Sequence, residues 1–297
     1  YSVAELLSKV LLEIVPINPI EAFAKGNMLQ VIFFSIFFGF CLSLMGDSVR
    51  MVTDFFQKVG DVMIRMTNYV MLYAPIGVFG LIAYTVTRHG LAVLLPLGKL
   101  ILTAFIATLI FVCITYLPII KLIGMKISDY LKGAFEPWLI AFTTCSSAAA
   151  LAVNLEASRK MGASKAIASF AIPLGNTINM NGTSIYMGVT AVFAAEVFGI
   201  DLTLAQQFQI VLMGVLAAVG TAGVPGAGLI MTTLVFTEVG IPLEAVALIA
   251  GIDRILDMIR TSVNVLGDSL TALVVSKSEG VLGTELMDQD TVVKEQL

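Results

Sequence analysis

The sequence is poor in charge and in the residues that most often carry enzyme chemistry. Only 13% of its 297 residues are charged, against about 25% in soluble domains, and it contains one histidine. The cysteines Cys41, Cys113 and Cys145 lie in apolar stretches without metal-ligand spacing, so they are most simply packed, reduced thiols. The net charge is −4, and no basic cluster suggests nucleic acid as a partner.

Long apolar runs take the place of the missing charge. Hydrophobic residues make up 58% of the chain, and its mean hydropathy is +0.96. A helix needs about 20 apolar residues to cross a bilayer, so the runs predict an all-α integral membrane protein. The charge-free stretches are 26–46, 66–87, 101–120, 137–155, 166–195 and 202–237.

One stretch, 251–268, places polar residues inside an apolar helix. Its ionisable and amide residues stack on one helical face because they are three or four positions apart. They are Asp253, Asp257, Arg260, Asn264 and Asp268. A charge at bilayer depth costs at least about 2.5–3.5 kcal/mol unless it faces a protein interior or a watery cavity. The stripe therefore predicts a solute and ion site. A soluble helix with a solvated charged face is the commoner use of such a pattern, but the composition argues against it.

Most of the first 123 residues are predicted to form simple helices. The predicted elements are a short amphipathic helix at 1–15, a spanning helix at 26–46, a long helix at 50–87 with a kink at Ala74-Pro75, and a span at 91–123.

Two later segments do not fit a single span. Segment 130–162 has the small polar run 143–147 at its centre and basic residues on both flanks. Because basic residues mark the cytoplasmic side, it is predicted to be a re-entrant hairpin. Segment 202–237 has a glycine-rich centre and acidic flanks, which predicts a second hairpin entering from the other side. The alternative for each is a notched spanning helix packed closely on a neighbour.

Between and after these hairpins lie a broken helix and the charged last helix. Segment 166–195 contains Pro173 and the polar insert 179–183, which predicts a break at mid-membrane whose free carbonyls can coordinate a cation. The last helix is predicted at 245–276, followed by a polar cytoplasmic tail at 281–297. This order is the inverted-repeat plan of secondary transporters.

These motifs resemble the glutamate transporter homologue family, the sodium:dicarboxylate symporters that include excitatory amino acid transporters. The resemblance covers essentially the whole chain, and its most specific pieces are 179–183, 220–228 and 251–268. It implies a multi-pass protein of the cell membrane that moves by an elevator mechanism and assembles as a homotrimer. It also implies that the first three of eight family helices are missing. Residues 1–87 would be trimerisation scaffold, and 88–280 the transport domain.

The resemblance assigns roles to the polar residues of the site. Arg260 matches the arginine that grips a substrate side-chain carboxylate, a suitable task for its planar donor fork. Asp257 matches the aspartate that receives the α-ammonium, which favours acidic amino acids. Asp253 matches an acid beside the site. The other residues assigned to substrate are Ser147, Met180, Thr183, Val224, Gly228, Arg254, Thr261 and Asn264.

Bound and co-transported sodium ions (Na+) are implied in the same way. One site would use Asn264, Asp268 and backbone carbonyls of Gly175 and Asn179. The residues implied for a second are Thr177, Met180, Ala218, Val219 and Thr221. Asn181 stands where the family has an aspartate serving a third sodium site, so the ion count stays open, with H+ as the alternative coupling ion.

Three further departures from the family pattern bear on the site. The first-hairpin arginine of archaeal members is Cys145 here, while Arg254 occupies the position that carries this charge in the animal transporters. Met187 replaces the glutamate of proton-coupled animal members, and a thioether cannot carry a proton. Ala152 replaces a proline near the first hairpin tip.

The sequence therefore predicts a sodium-coupled symporter that imports L-aspartate or L-glutamate and is not an enzyme. The alternatives are a proton-coupled glutamate symporter or a C4-dicarboxylate symporter. A remote alternative is an intramembrane aspartyl protease, and a truncated, inactive product is a third possibility. The partners are an acidic amino acid and the lipid bilayer.

Overall fold

The computed structural model describes residues 15–25, 28–219, 221, 223 and 225–284. The predicted helix at 1–15 and most of the predicted tail at 281–297 lie outside this part. Within it the chain is helical, with turns and bends but no strand. The all-α prediction is confirmed.

Four helices form the first part of the described chain. They are α1 (Pro19–Lys25), α2 (Met28–Met45), α3 (Arg50–Met71) and α4 (Ala74–His89). The predicted single helix over 50–87 is wrong in detail, because α3 and α4 are separate helices with a turn at Leu72-Tyr73. Pro75 lies in the first turn of α4, where its missing N–H costs no hydrogen bond.

Ten helices form the rest. They are α5 (Leu94–Phe111), α6 (Leu117–Leu122), α7 (Ile127–Thr144), α8 (Ser147–Lys160), α9 (Lys165–Ile178), α10 (Asn181–Val197), α11 (Leu204–Val219), α12 (Ala227–Val239), α13 (Glu244–Ala250) and α14 (Asp253–Ser278). A π-helical turn, Val112–Tyr116, joins α5 to α6.

Three of the connections between these helices are only two residues long, and two of them lie at turns predicted from the sequence. α7 and α8 pack on each other and are joined by Cys145 and Ser146. Cys145 has φ of 57°, and the Ser146 hydroxyl caps α8 by accepting from the Ala149 N–H. α9 and α10 are separated by Asn179 and Met180, inside the segment predicted to be a broken helix.

The last helix, α14, is the centre of the packing. It contacts α5, α7, α8, α9 and α10, and every residue from Arg260 to Leu270 is buried. One apolar cluster joins α5, α10, α11, α12 and α13. A second joins α6, α7, α9 and the C-terminal half of α14. The polar face of α14 lies between them.

Membrane-length helices are found in both parts of the described chain. Two helices are long and apolar enough to cross a bilayer, Phe33–Met63 and Leu94–Leu122. The first runs through the 3-10 turn Gly46–Val49 and has no buried side chains in its most apolar window. Shorter apolar helices include α11 and α12.

Candidate functional site

A small polar cavity lies where α14 meets the ends of five other helices. Its volume is about 10 Å³, about the room that one water needs. The lining residues are Cys145, Ser147, Met180, Thr183, Thr221, Gly223, Gly228, Asp257, Arg260, Thr261 and Asn264. A larger groove of about 670 Å³ lies between α5 and α10, but its lining is mostly apolar. The small cavity, where charges converge, is the candidate site.

Three buried charges form the centre of this site. Arg260 donates from Nε to Asp257 Oδ1 over 3.0 Å, and its Nη1 lies 3.4 Å from Asp253 Oδ1. The three residues are at most 6% exposed. The guanidinium carbon also lies 4.3 Å from the ring centre of Tyr186, whose hydroxyl donates to Asp253 over 2.8 Å. The Arg260 guanidinium thus forms ion pairs with two carboxylates and also stacks on an aromatic ring.

The start of α12 closes over these charges. Gly226 donates its N–H to Asp257 Oδ2 over 2.9 Å and has φ of 77°, a conformation that favours glycine. A Cβ on Gly228 would collide with the Arg260 guanidinium. The glycines of this segment therefore let the backbone approach both charges.

A contact between the α7–α8 connection and the segment before α12 completes the enclosure. Ser146 donates from Oγ to the Gly223 carbonyl over 2.9 Å, and the Ala148 N–H donates to the same carbonyl over 3.2 Å. The buried Ser147 Oγ has no hydrogen-bond partner among the described residues, nor has Asn176 Oδ1. Val224 lies outside the described residues.

Asn264 connects the cavity to the start of α10. Its Oδ1 accepts from the Gly182 N–H over 2.8 Å, and its Nδ2 donates to Thr183 Oγ1 over 3.1 Å. Met180 Sδ lies 3.1 Å from the same Nδ2. On the other side of Asn264, Thr261 donates to Asp257 over 2.7 Å. The break before α10 and the polar face of α14 are thereby joined.

A second polar group, the amide cluster, is formed by Tyr116, Asn179, Asn181 and Asp268. Asn179 donates from Nδ2 to Asp268 Oδ1 over 3.0 Å. Asn181 donates from Nδ2 to Asn179 Oδ1 over 2.7 Å and to the Tyr116 hydroxyl over 2.9 Å. Gly175 leaves room for the Asp268 carboxylate, because a Cβ there would meet Oδ1.

The donor atoms of the amide cluster suit a hard cation. Carboxylate, amide and hydroxyl oxygens are the ligands that such ions prefer. Within the described residues no group of three or more His, Cys, Asp and Glu side chains converges. Three residues predicted as sodium ligands, Asn179, Asn181 and Asp268, lie together in this cluster.

The remaining residues predicted as sodium ligands are not all together. Thr221 is buried, lines the cavity and donates from Oγ1 to the Ala217 carbonyl. Ala218 and Val219 form the end of α11 beside it. Thr177 is exposed, and its hydroxyl donates to the Pro173 carbonyl at 3.5 Å.

Arg254 does not line the cavity, although it is among the residues predicted to contact substrate. Its Nη2 donates to the Thr143 carbonyl over 3.0 Å, and its Nη1 lies 3.5 Å from the Thr144 carbonyl. These carbonyls end α7, where a cation is favourably placed against the helix dipole. Arg254 thus holds the α7–α8 connection against α14.

Two tyrosines at the site were not predicted from the sequence. Tyr186 contacts Arg260 and Asp253, and Tyr116 donates to the Val263 carbonyl over 3.2 Å. Both lie in apolar helices among many aromatic residues, so no sequence pattern distinguishes them. A tyrosine at such a place is more often a packing residue.

Buried charges and amides at broken helices, inside an apolar helical protein, define a membrane transport protein. The chain matches the sodium:dicarboxylate symporter family over residues 2–278 and belongs to that family.

Several curated relatives are similar over most of this chain. The proton/sodium-glutamate symport protein of Geobacillus stearothermophilus is 40% identical over 272 residues, which is 92% of this chain and 65% of the relative. The C4-dicarboxylate transport protein of Bacillus subtilis (strain 168) is 41% identical over 268 residues, 90% of this chain and 63% of the relative. The proton/glutamate-aspartate symporter of Escherichia coli (strain K12) is 39% identical over 270 residues, which is 91% of this chain and 62% of the relative. The chain thus spans less than two thirds of these relatives' lengths.

Proposed function

We propose that this chain binds and transports acidic amino acids, L-aspartate or L-glutamate, by symport with sodium. The observation that carries the proposal is the Arg260–Asp257 pair at 3.0 Å in a cavity enclosed by Ser147, Gly228 and Asn264. An acidic amino acid has one ammonium and two carboxylates. The pair offers one partner for each kind of charge.

The substrate takes the place of the contact within the pair. Its side-chain carboxylate binds the Arg260 fork in a bidentate manner, and its α-ammonium binds Asp257. The α-carboxylate is then near Ser147, whose buried hydroxyl has no other partner among the described residues. Thr261 and Asn264 hold Asp257 and the start of α10 in place.

Substrate entry requires movement of the segment before α12. The cavity of about 10 Å³ is too small for an amino acid. Opening breaks the contacts of Gly223 with Ser146 and Ala148, and that of Gly226 with Asp257. This segment lacks bulky side chains at Gly223, Gly226 and Gly228, which suits a gate.

The pair also sets the substrate class. A plain dicarboxylate leaves the buried Asp257 without a cation, and a neutral amino acid leaves Arg260 without an anion. An unpaired buried charge is strongly unfavourable. A site built around such a group can reject the analogue that lacks its partner by a large factor.

Sodium ions are the co-transported substrate in this proposal. Asp268 would be the anionic ligand of one ion, with Asn264 and carbonyl oxygens near Gly175 and Asn179. Thr221 and the end of α11 would belong to a second ion beside the gate. Because ion and amino acid both favour the closed gate, each raises the affinity for the other by the same factor.

The larger movement is also part of the proposal. The pairs α7–α8 and α11–α12 would be re-entrant hairpins, related as inverted repeats around the site. The transport domain would slide as an elevator against scaffold helices within 1–87, in a homotrimer of the cell membrane. The short Cys145-Ser146 connection and the exposed apolar faces of α2–α4 support this arrangement.

The test is calorimetric binding of L-aspartate to the purified protein, first in sodium chloride and then with choline replacing sodium. Binding that occurs in sodium but not in choline supports the proposal, and the slope of log affinity against log sodium concentration gives the number of coupled ions. Equal affinity in both salts contradicts sodium coupling. Binding of succinate but not of L-aspartate or L-glutamate contradicts the amino-acid assignment and favours a C4-dicarboxylate substrate.

A further inference from the structure

Asp253 is a buried acid that the proposed substrate contacts leave without a role. It is 6% exposed, and its Oδ1 faces both the Tyr186 hydroxyl at 2.8 Å and Arg260 Nη1 at 3.4 Å. It lies in the first turn of α14, where the helix dipole favours a negative charge. The Arg260 cation, the Tyr186 hydroxyl and the helix terminus stabilise its negative charge against the cost of burial.

Substrate binding removes part of this stabilisation. Arg260 is the guanidinium that would turn towards the substrate carboxylate, and its contact with Asp253 is the longer of its two ion pairs. The three buried charges of the site sum to −1, and an acidic amino acid adds another −1. Asp253 then keeps only the tyrosine hydroxyl and the helix terminus, and burial disfavours the charged form.

We propose that Asp253 takes up one proton when an acidic amino acid binds Arg260, and so carries a proton together with the substrate. The proton comes from the aqueous phase that the site faces, adds to a carboxylate oxygen of Asp253, and leaves to the opposite phase when the substrate is released. This inference rests on the proposed function, because it requires an acidic substrate at Arg260.

The surroundings of Asp253 fit this role. The charged and titratable groups that act on it are Arg254, Asp257 and Arg260 of α14 and Tyr186 of α10. Cys145, in the connection between α7 and α8, lies close to the same charges, and Thr232 of α12 lies close to Tyr186. The charged residues Lys99 of α5 and Glu244 of α13 are exposed.

Access to protons also favours Asp253 over Asp257. The Asp253 side chain is 9% exposed, whereas those of Arg260 and Asp257 are each 4% exposed. Asp257 already accepts hydrogen bonds from three donors, Arg260, Thr261 and Gly226, and would then receive the substrate ammonium. Asp253 is therefore the acid whose charge is left unbalanced.

The experiment counts protons during L-aspartate binding at saturating sodium. Calorimetry in two buffers of different ionisation enthalpy gives the number of protons taken up by the protein. We expect uptake approaching one proton at pH values where Asp253 is ionised in the free protein and protonated in the complex. There the affinity falls about tenfold for each unit of rising pH, as linkage to one proton requires.

The key variant is Asp253→Asn, which imitates the protonated acid. It is expected to bind L-aspartate with no proton uptake and with affinity that does not change over that pH range. Asp201→Asn makes the same change at an exposed position between α10 and α11 and is expected to keep the wild-type proton count.

Tyr186→Phe is the second variant, for use if Asp253→Asn does not fold. Without the tyrosine hydroxyl, the ionised carboxylate of Asp253 loses a hydrogen-bond donor and is less stable. The pH of half-maximal proton uptake is therefore expected to move upwards, and an unchanged midpoint overturns the inference. Proton uptake in Asp253→Asn equal to wild type, or aspartate binding by wild type without any uptake, also overturns it and leaves the proposed function standing. Failure of wild type to bind any acidic amino acid overturns both.

Discussion

The two parts of the described chain differ in which side chains they bury and which they expose. Among the side chains of α1–α4 that the structure describes, only Ala22 is buried, while aromatic side chains such as Phe37, Phe55 and Phe79 are exposed. In α5–α14 a large apolar core encloses ionised and amide side chains.

This difference separates two sources of stability. Helices with exposed apolar faces depend on lipid or on other helices for their burial, so polar changes on them alter little within this chain. The polar residues around α14 are held by one another, and removal of one partner leaves the others unsatisfied. Matched substitutions in the two parts should therefore differ in effect.

The largest expected difference is between two arginines. Arg260→Ala leaves Asp257 and Asp253 without their cation and should lower L-aspartate affinity by at least about 100-fold, or about 3 kcal/mol. Arg50→Ala removes an exposed arginine 4.0 Å from Asp54 and should change affinity less than about twofold. Calorimetric titration in sodium measures both. Similar effects for the two variants would remove the distinction between the parts.

Two glycines give the next comparison. Gly228→Ala places a Cβ against the Arg260 guanidinium and should cost about tenfold in L-aspartate affinity, equal to about 1.4 kcal/mol. A Cβ at Gly80 in α4 would have no atom of the described structure within 4 Å, so Gly80→Ala should leave the affinity unchanged. Binding by Gly228→Ala with wild-type affinity would show that Arg260 is not confined by α12.

The third comparison is between the effects of two tyrosine substitutions on protein stability. Tyr130, 1% exposed, donates to the Leu266 carbonyl over 2.6 Å and lies 3.0 Å from Ser269 Oγ. Tyr130→Phe removes a buried hydrogen bond, although Ser269 still donates to the Leu266 carbonyl, and should lower stability by about 1 kcal/mol. Tyr69→Phe, at a position 59% exposed, should change it by less than about 0.5 kcal/mol. Thermal unfolding in one detergent measures both, and equal shifts of the unfolding midpoint would contradict the greater contribution of the hydrogen bonds around α14.

The smallest expected change concerns two asparagines. Asn181→Asp replaces an amide that donates to Asn179 and Tyr116 with a second carboxylate near Asp268. The added negative charge should favour binding of a cation. The slope of log affinity for L-aspartate against log sodium concentration should therefore rise, by up to about one for each ion gained. Asn18→Asp, at the exposed start of α1, should leave the slope unaltered. An unchanged slope in Asn181→Asp would show that the amide does not weaken an ion site.

The sequence was sufficient to predict the helical class and the set of polar residues on α14, because intramembrane charge has few explanations. It also placed the break near Asn179 and the turn at Cys145. It did not predict that α3 and α4 are separate helices, since a proline after a long apolar run fits a kink as well as a new start.

The contacts of single side chains were beyond the sequence. The pairing of Arg254 with the end of α7 depends on how α14 crosses that helix, and the position of Tyr186 over Arg260 depends on the packing of α10. Spacing along one helix fixes which residues share a face. It does not fix what the face meets.

The most direct test of the account is the affinity for L-aspartate and for succinate in wild type and in Asp257→Ala, measured calorimetrically at saturating sodium. The two ligands differ by the ammonium that Asp257 is proposed to bind. The account predicts that wild type prefers L-aspartate by at least about 100-fold, and that Asp257→Ala loses this preference while its succinate affinity stays equal or rises. An equal loss of affinity for both ligands would contradict it, because Asp257 would then support the site without receiving the substrate's ammonium.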